Sequence, residues 1–340
     1  MRVAVDGRAL RPGAARARGV ARYLCCVLDE SRRLFPEDEY QLVDPGRIRL
    51  ATAALAGRPP LDRFAPGCDV VWVPAPAPIA MSKGMPYVLT VHDLSFEHRA
   101  RDYPLYDRLW QRLARPAQLA RGAERVLCVS EATRRALIER WSVDRERTRT
   151  VLSGPGRLPS AASSALPDSI PESFVLAVGA LEPRKLPSIL AHAHRRAQAA
   201  GLRAGLVFAG DGRLRGELED SGATVLGHVP DTVLDGLYER ALAVACASRD
   251  EGFGFTPLEA AMRGTPAVVA DLPVFTETLG EGALRVPPGD AEALATALVR
   301  LEREPNLREQ LARTAREAVS RLSWESAAHA TRSALAEAAR

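Results

Sequence analysis

Short apolar runs recur along the chain, separated by longer stretches in which apolar residues return every third or fourth position. The short runs suit fully buried strands. In the first half they are Arg2–Asp6, Asp69–Val73, Tyr87–Val91, Arg125–Val129 and Thr148–Leu152. In the second half they are Phe174–Val178, Gly205–Ala209, Ala223–Leu226, Leu242–Ala247 and Ala267–Ala270. Between them the spacing predicts helices. Val20, Tyr23, Leu24, Val27 and Leu28 share one face over Gly19–Leu34. Tyr103–Ala114 reads as an amphipathic, Arg-rich helix ended near Pro116, and Ser130 caps a helix over Glu131–Arg140. Further helices are expected over Pro187–Ala200, near Leu214–Glu219, and over Thr232–Arg240, Pro257–Arg263 and Ala291–Arg303, with helical material from Asn306 onward. Strands joined through single helices predict parallel sheets covered on both faces. Between the two series, Gly154–Ser173 turns rich in Gly, Pro, Ala and Ser and reads as a linker. The expected fold class is therefore α/β, with two doubly wound domains. Ligands of such sheets bind beyond the carboxyl ends of strands, so a central cleft is the expected site.

Composition narrows the class. A chain of 340 residues with 46% apolar content is long enough for two cores. No apolar run reaches membrane-spanning length, and Met1–Asp6 opens into a strand rather than a signal peptide, so a cytoplasmic protein is expected. The five cysteines form no C-x-x-C pair and read as buried free thiols. Residues 1–160 carry 27 Lys and Arg against 18 Asp and Glu, whereas residues 161–340 carry 19 against 24. The basic first half suits an anionic or lipid-linked partner, and peripheral contact with the inner membrane face is an expectation. Aromatics are sparse and no nucleic-acid motif occurs, so nucleic acid is not an expected partner. Of the 46 basic residues only Lys83 and Lys185 are lysine. A lysine kept among so many arginines marks a place where a compact charge fits and a guanidinium fork does not.

Candidate chemistry clusters in two loops of the second half. After the strand at Phe174–Val178 comes Gly179-Ala-Leu-Glu-Pro-Arg184-Lys185. Adjacent cations at a strand's carboxyl end suit a diphosphate. The helix dipole disfavours cations at a helix start unless an anion compensates. After the strand at Leu242–Ala247 comes Glu251-Gly252-Phe253-Gly254-Phe255-Thr-Pro-Leu-Glu259. A glycine loop leading into a helix aims free N–H groups at a ligand, and the two carboxylates suit hydroxyls. Glu259 has a competing explanation: Thr256-Pro-Leu-Glu259 is a capping box, with Thr256 as N-cap. His92, after the strand at Tyr87–Val91, lies where a ligand hydroxyl or carbonyl binds. Gly210-Asp-Gly212 imitates a dinucleotide fingerprint, but no acid ends the next strand, so a nicotinamide cofactor is not expected. The six histidines show no metal spacing, and Asp-x-Asp is absent, so no metal site is expected and Arg184 and Lys185 would do the neutralising.

Taken together, Arg249–Glu259 with Gly264-Thr-Pro resembles the signature of glycosyltransferase family 4, the retaining sugar-nucleotide transferases of GT-B fold. Gly19-Val-Ala-Arg-Tyr23, Val91-His92-Asp93, Val129-Ser130-Glu131, Val178–Lys185, Phe208–Gly212, Gly227–Asp231 and Ser323-Trp324-Glu325 agree in order. The resemblance implies two Rossmann-like domains: an acceptor-side domain over 1–160 and a nucleotide-sugar domain over 161–322. A terminal helix, 323–340, would cross back to the first. It implies transfer from a nucleotide-diphosphate sugar to a hydroxyl, of mannosyl or glucosyl type, without metal or other cofactor. It places Arg184 and Lys185 on the diphosphate, Glu259 on the ribose, and Glu251 with Gly252, Phe253, Gly254 and Phe255 on the donor sugar. Backbone near Val229 would meet the base, Gly19 the phosphates, and His92 the sugar near the reacting carbon. Two departures stand out: Ala21 replaces a common glycine, and Leu186 a frequent Asn. The alternatives are a sugar-nucleotide epimerase on the same fold and a catalytically silent nucleotide-sugar binder. Acceptor choice would fall to loops such as Arg8–Arg18 and Asp44–Gly67.

Overall fold

In a computed structural model, residues 1–11, 18–44, 60–156 and 166–340 are described. Parts of the loops Arg8–Arg18 and Asp44–Gly67, and residues 157–165 of the expected linker, lie outside them. The chain divides into two units, Met1–Gly154 with Leu322–Arg340, and Pro155–Arg321.

In the first unit, β1 (Arg2–Asp6), β2 (Glu39–Val43), β3 (Val70–Val73), β4 (Tyr87–Val91), β5 (Arg125–Cys128) and β6 (Thr148–Thr150) form a sheet in the order β2-β1-β3-β4-β5-β6. All its pairings are parallel. Helices α1 (Arg18–Leu34), α2 (Ser95–His98), α3 (Leu105–Ala114), α4 (Pro116–Gly122) and α5 (Glu131–Trp141) connect them. Every residue of β3 and β4 is buried, which is why both read as unbroken apolar runs. The edge strand β2 buries only Tyr40 and Val43, and its mixed Glu-Tyr-Gln-Leu-Val escapes a search for apolar runs. Ser130 does cap α5, accepting from the Thr133 N–H at 3.1 Å.

In the second unit, β7 (Phe174–Val178), β8 (Gly205–Ala209), β9 (Thr224–Gly227), β10 (Ala243–Cys246), β11 (Ala267–Ala270) and β12 (Ala283–Val286) form a parallel sheet in the order β12-β11-β10-β7-β8-β9. Helices α6 (Pro187–Ala199), α7 (Arg215–Asp220), α8 (Asp231–Arg240), α9 (Phe255–Met262), α10 (Pro273–Leu279), α11 (Ala291–Arg303) and α12 (Pro305–Val319) accompany it. Alternate residues of one strand feed opposite faces. Val175 and Ala177 join one core with Leu206, Phe208 and Ala245. Phe174 and Leu176 join another with Val207, Val244 and Tyr238. The order places β8 and β9 on one side of β7 and β10 to β12 on the other. The direction of winding therefore reverses between β7 and β10, and their carboxyl ends open a crevice there.

The chain ends on α13 (Trp324–Ala338), part of the first unit, where it packs along α1. Glu337 near its end accepts from Arg125 at 3.0 Å and from Arg149 at 2.7 and 2.8 Å.

Candidate functional site

The loops after β7 and β10 meet at the reversal point of the second sheet. After β7 the chain forms a 3-10 turn, Pro183–Lys185, and then Leu186 takes a left-handed conformation, φ 52° and ψ 41°. That region is sterically costly for a residue with a Cβ, and Asn or Gly tolerates it best. A left-handed residue here is the physical reason an Asn suits this position. Leu186 stays because its side chain, 6% exposed, is anchored in the core of the unit. The turn is also pinned from the β10 side, where the Arg249 N–H donates to the Arg184 carbonyl at 3.0 Å.

This clamp brings Lys185 onto Glu251. The ammonium donates to Glu251 Oε1 and forms an ion pair with it. Ser248 Oγ donates to the same oxygen at 2.7 Å, and Cys246 Sγ at 3.5 Å. Oε2 takes no hydrogen bond from the described residues. Burial alone would raise the carboxyl pKa. The charge and hydrogen bond of Lys185, the Ser248 hydroxyl and the Arg184 charge outweigh it and hold Glu251 below its usual value. Burial, and then the Glu251 charge, push the Cys246 thiol up to about 12, so the sulfur is a neutral thiol. The anion that compensates Lys185 at this helix start is thus a side chain of the same chain.

The glycine loop departs from its expected form. The residue capping α9 is Gly254, at φ 82°, and no side chain caps the helix. Thr256 lies inside the first turn, so the capping box does not form. The cause is packing beneath the loop. Phe253 is buried, and a Cβ on Gly254 would lie 2.4 Å from the Phe275 ring, so the chain turns at a glycine before Thr256 is reached. Phe255 stands edge-on to Phe253, with centroids 5.1 Å apart. Freed from capping, Glu259 points inward. It is 2% exposed and accepts from the Tyr238 hydroxyl at 2.8 Å. Gly156 lies so close that a Cβ there would sit 2.1 Å from Glu259 Oε1. Val229 follows β9 and packs partly buried on the core around Tyr238.

The dinucleotide imitation also has a structural explanation. A Cβ on Gly210 would come within 1.8 Å of the Gly179 carbonyl oxygen, and one on Gly212 within 2.6 Å of Leu181 O. These glycines let the loop after β8 lie backbone to backbone against the loop that carries Arg184 and Lys185. The Leu181 N–H to Asp211 O bond, 3.0 Å, joins the two.

Two expected site residues belong to the first unit. Gly19 is exposed in the first turn of α1, with no atom within 4 Å of where a Cβ would stand. His92 follows β4, edge-on to Tyr23 at 5.0 Å, with Nε2 2.9 Å from the Pro74 carbonyl. A carbonyl only accepts, so Nε2 carries the hydrogen and the neutral ring offers Nδ1 as an acceptor. Burial holds the ring's pKa below its ordinary value, against the Pro74 bond and the Asp93 charge. His92 therefore suits a hydroxyl donor and not a carbonyl. Ser248, Cys246 and Tyr238 were not singled out by sequence. The one available signal was a serine three positions before Glu251. Among the described residues, no group of three or more His, Cys, Asp or Glu is placed to hold a metal.

Comparison with known proteins agrees with this arrangement. A family model for glycosyl transferases group 1 matches residues 167–318, and one for Glycosyltransferase Family 4 matches residues 13–154. The O-antigen chain mannosyltransferase RfbU of Salmonella typhimurium is 42% identical over 90 residues, covering 26% of this chain and 25% of that protein. A D-inositol 3-phosphate glycosyltransferase of Saccharomonospora viridis is 30% identical over 278 residues, 71% of this chain and 62% of its own. The chain thus spans less than two thirds of the length of these relatives. Anabaena HepE, solved in complex with UDP-glucose, superposes with a TM-score of 0.70 at 20% identity, covering 99% of this chain and 100% of its own. At that identity the likeness is one of fold, and the fold is GT-B. With one family model covering the second sheet and another covering the first sheet apart from β1, and a lysine and a glutamate joined where the second sheet reverses, the chain belongs to glycosyltransferase family 4.

Proposed function

We propose that this protein is a retaining glycosyltransferase that moves a hexosyl group, of mannosyl or glucosyl type, from a nucleotide-diphosphate sugar to an acceptor hydroxyl. The observation that carries the reading is the meeting of Lys185 with Glu251 where β7 and β10 part. There a diphosphate and a sugar hydroxyl find a cation and a carboxylate side by side. Lys185 has three N–H donors and commits one to Glu251. The others, with Arg184, stabilise the charge that grows on the leaving diphosphate, the main electrostatic demand of an oxocarbenium-like transfer. The departing phosphate takes the acceptor's proton on the same face, which retains configuration. These cations serve in place of a metal, so turnover in EDTA is expected to match turnover in magnesium.

In this reading the unit of Pro155–Arg321 holds the donor and that of Met1–Gly154 the acceptor. Glu251 Oε2 accepts from a donor-sugar hydroxyl, and the N–H groups of Gly252, Phe253, Gly254 and Phe255 line the same subsite. Val229 meets the base through its backbone. Gly19 and His92 remain assigned to the phosphates and the sugar, His92 as an acceptor through Nδ1. Glu259 is assigned to the ribose, and this requires the backbone at Gly156 to withdraw from it. The acceptor is anionic or lipid-linked. Its docking helix is α3, which exposes Leu105, Tyr106 and Leu109 beside the exposed Arg101, Arg108, Arg112 and Arg115.

A thermal-shift screen against a panel of nucleotide sugars, followed by assay of nucleoside diphosphate release with acceptor lipids and sugars, tests the reading. One donor is expected to raise the melting temperature and to be turned over. Binding without any release across the panel would leave a nucleotide-sugar binder instead.

A further inference from the structure

Three donors reach Glu251, and all three reach the same oxygen. Lys185, Ser248 and Cys246 meet Oε1 and leave Oε2 open. The donors are not equivalent. The ammonium sits on a flexible four-carbon stem and would be shared with a phosphate bound beside it. The thiol is a weak donor at 3.5 Å. The Ser248 hydroxyl is 2% exposed, sits just past the end of β10, and makes a bond of 2.7 Å to an ionised oxygen that can only accept. Its position is held by the neighbouring Arg249 N–H bond to Arg184 O. Of the three contacts, only this one is both strong and indifferent to the arrival of a diphosphate.

We infer that Ser248 is the positioning residue of the donor-sugar subsite: it holds Glu251 through Oε1, so that Oε2 stays turned toward the ligand when Lys185 engages phosphate. The inference rests on the proposed transferase reading for its consequence, but not for its geometry. The charged and titratable groups around Glu251 are Lys185 and Arg184 from the turn after β7, Cys246 from β10, and Arg249 and Asp250 from its own loop. Changing Ser248 leaves each of these groups in place, and of them Cys246, whose Sγ stands 3.7 Å from the Ser248 hydroxyl, loses a contact with it.

The test compares wild type with Ser248→Ala and Ser248→Cys in the full-length protein. The first measurement is a carboxyl-carbon NMR titration of Glu251. Loss of a donor to the ionised form raises the Glu251 pKa in Ser248→Ala, and the thiol of Ser248→Cys restores part of the shift. An unchanged titration overturns the inference, whether or not the protein proves to be a transferase. The second is affinity for UDP and for UDP-glucose, or for the equivalent pair picked out by the donor screen. A hydrogen bond to a charged group corresponds to about 10- to 100-fold, and this loss is expected in kcat/KM and in the added affinity of the sugar nucleotide. Affinity for the bare nucleoside diphosphate is expected to hold. Equal losses for both ligands, or wild-type turnover despite a moved titration, would also overturn it. Absence of turnover in wild type would instead sink the transferase reading alone.

Discussion

Lys185 and Leu186 are neighbours whose side chains do opposite things. Lys185 stays at the mouth of the crevice, 23% exposed, and meets Glu251 there. In the proposed transfer Lys185 faces the diphosphate, so Lys185→Ala is expected to lower turnover about 100-fold or more. It also leaves Glu251 with less to oppose its burial. In wild type the folded pKa of Glu251 is depressed. The stability it contributes is therefore present above the unfolded carboxylate value and is lost as pH falls through the folded one. Lys185→Ala should lose most stability near neutral pH, and urea melts should show the gap to wild type closing as the carboxyl protonates. A constant gap across that range would exclude the ion pair as a source of stability. Leu186 poses a contest of magnitudes. Leu186→Gly relieves about 1 kcal/mol of left-handed strain, but it forfeits a buried leucine, about 2–5 kcal/mol. Burial wins, and a net loss of about 1–4 kcal/mol is expected in denaturant melts.

At the scale of elements, the loops matter more than the strands that launch them. The loops after β7 and β8 pack backbone against backbone, and Gly210 is what permits it. Gly210→Ala would drive a Cβ into the Gly179 carbonyl, so the loop carrying Arg184 and Lys185 must shift. A stability loss of about 2 kcal/mol or more, with reduced turnover, is the expected result of calorimetry and assay. Retention of both would mean the loops are not coupled. Strand by strand, periodicity reads this sheet well where residues face core on both sides. Phe174–Val178, Gly205–Ala209 and Ala267–Ala270 match the observed β7, β8 and β11. It misses β2 and β12, both edge strands, because an edge strand buries fewer positions and needs no unbroken apolar run. Helices α2, α4 and α10 are missed for a related reason: they have four to seven residues, too few for a periodic signal.

At the scale of the whole molecule, charge and exposed apolar surface coincide. The excess of arginine in the first half includes four exposed arginines in and beside α3, where Leu105 is 78% and Tyr106 64% exposed. No helix among the described residues is long and apolar enough to cross a membrane. In the proposed docking role this helix would lie in a lipid interface, its apolar side chains buried and its cations among anionic headgroups. Cosedimentation with phosphatidylglycerol vesicles is expected to exceed that with phosphatidylcholine, and to weaken as salt rises. Leu105→Ser with Leu109→Ser should abolish it while donor turnover on a soluble acceptor persists. Equal binding to both vesicles, independent of salt, would remove the charge from the account.

The chain by itself determined the class of fold and the family, because burial on both faces writes continuous apolar strands and because loop motifs survive as local strings. It also marked Lys185, through the rarity of lysine, and the carboxylates around the glycine loop. It did not decide what those residues touch. The contact of Lys185 with Glu251 spans 66 positions and exists only because β10 lies beside β7. The capping box was a local rule overruled from outside, by Phe253 and Phe275 packing beneath the loop, and Glu259 turned inward as a result. Ser248 carries little signal in the sequence, because a serine near a glutamate means little until a fold puts its hydroxyl on one oxygen of that carboxylate and leaves the other open.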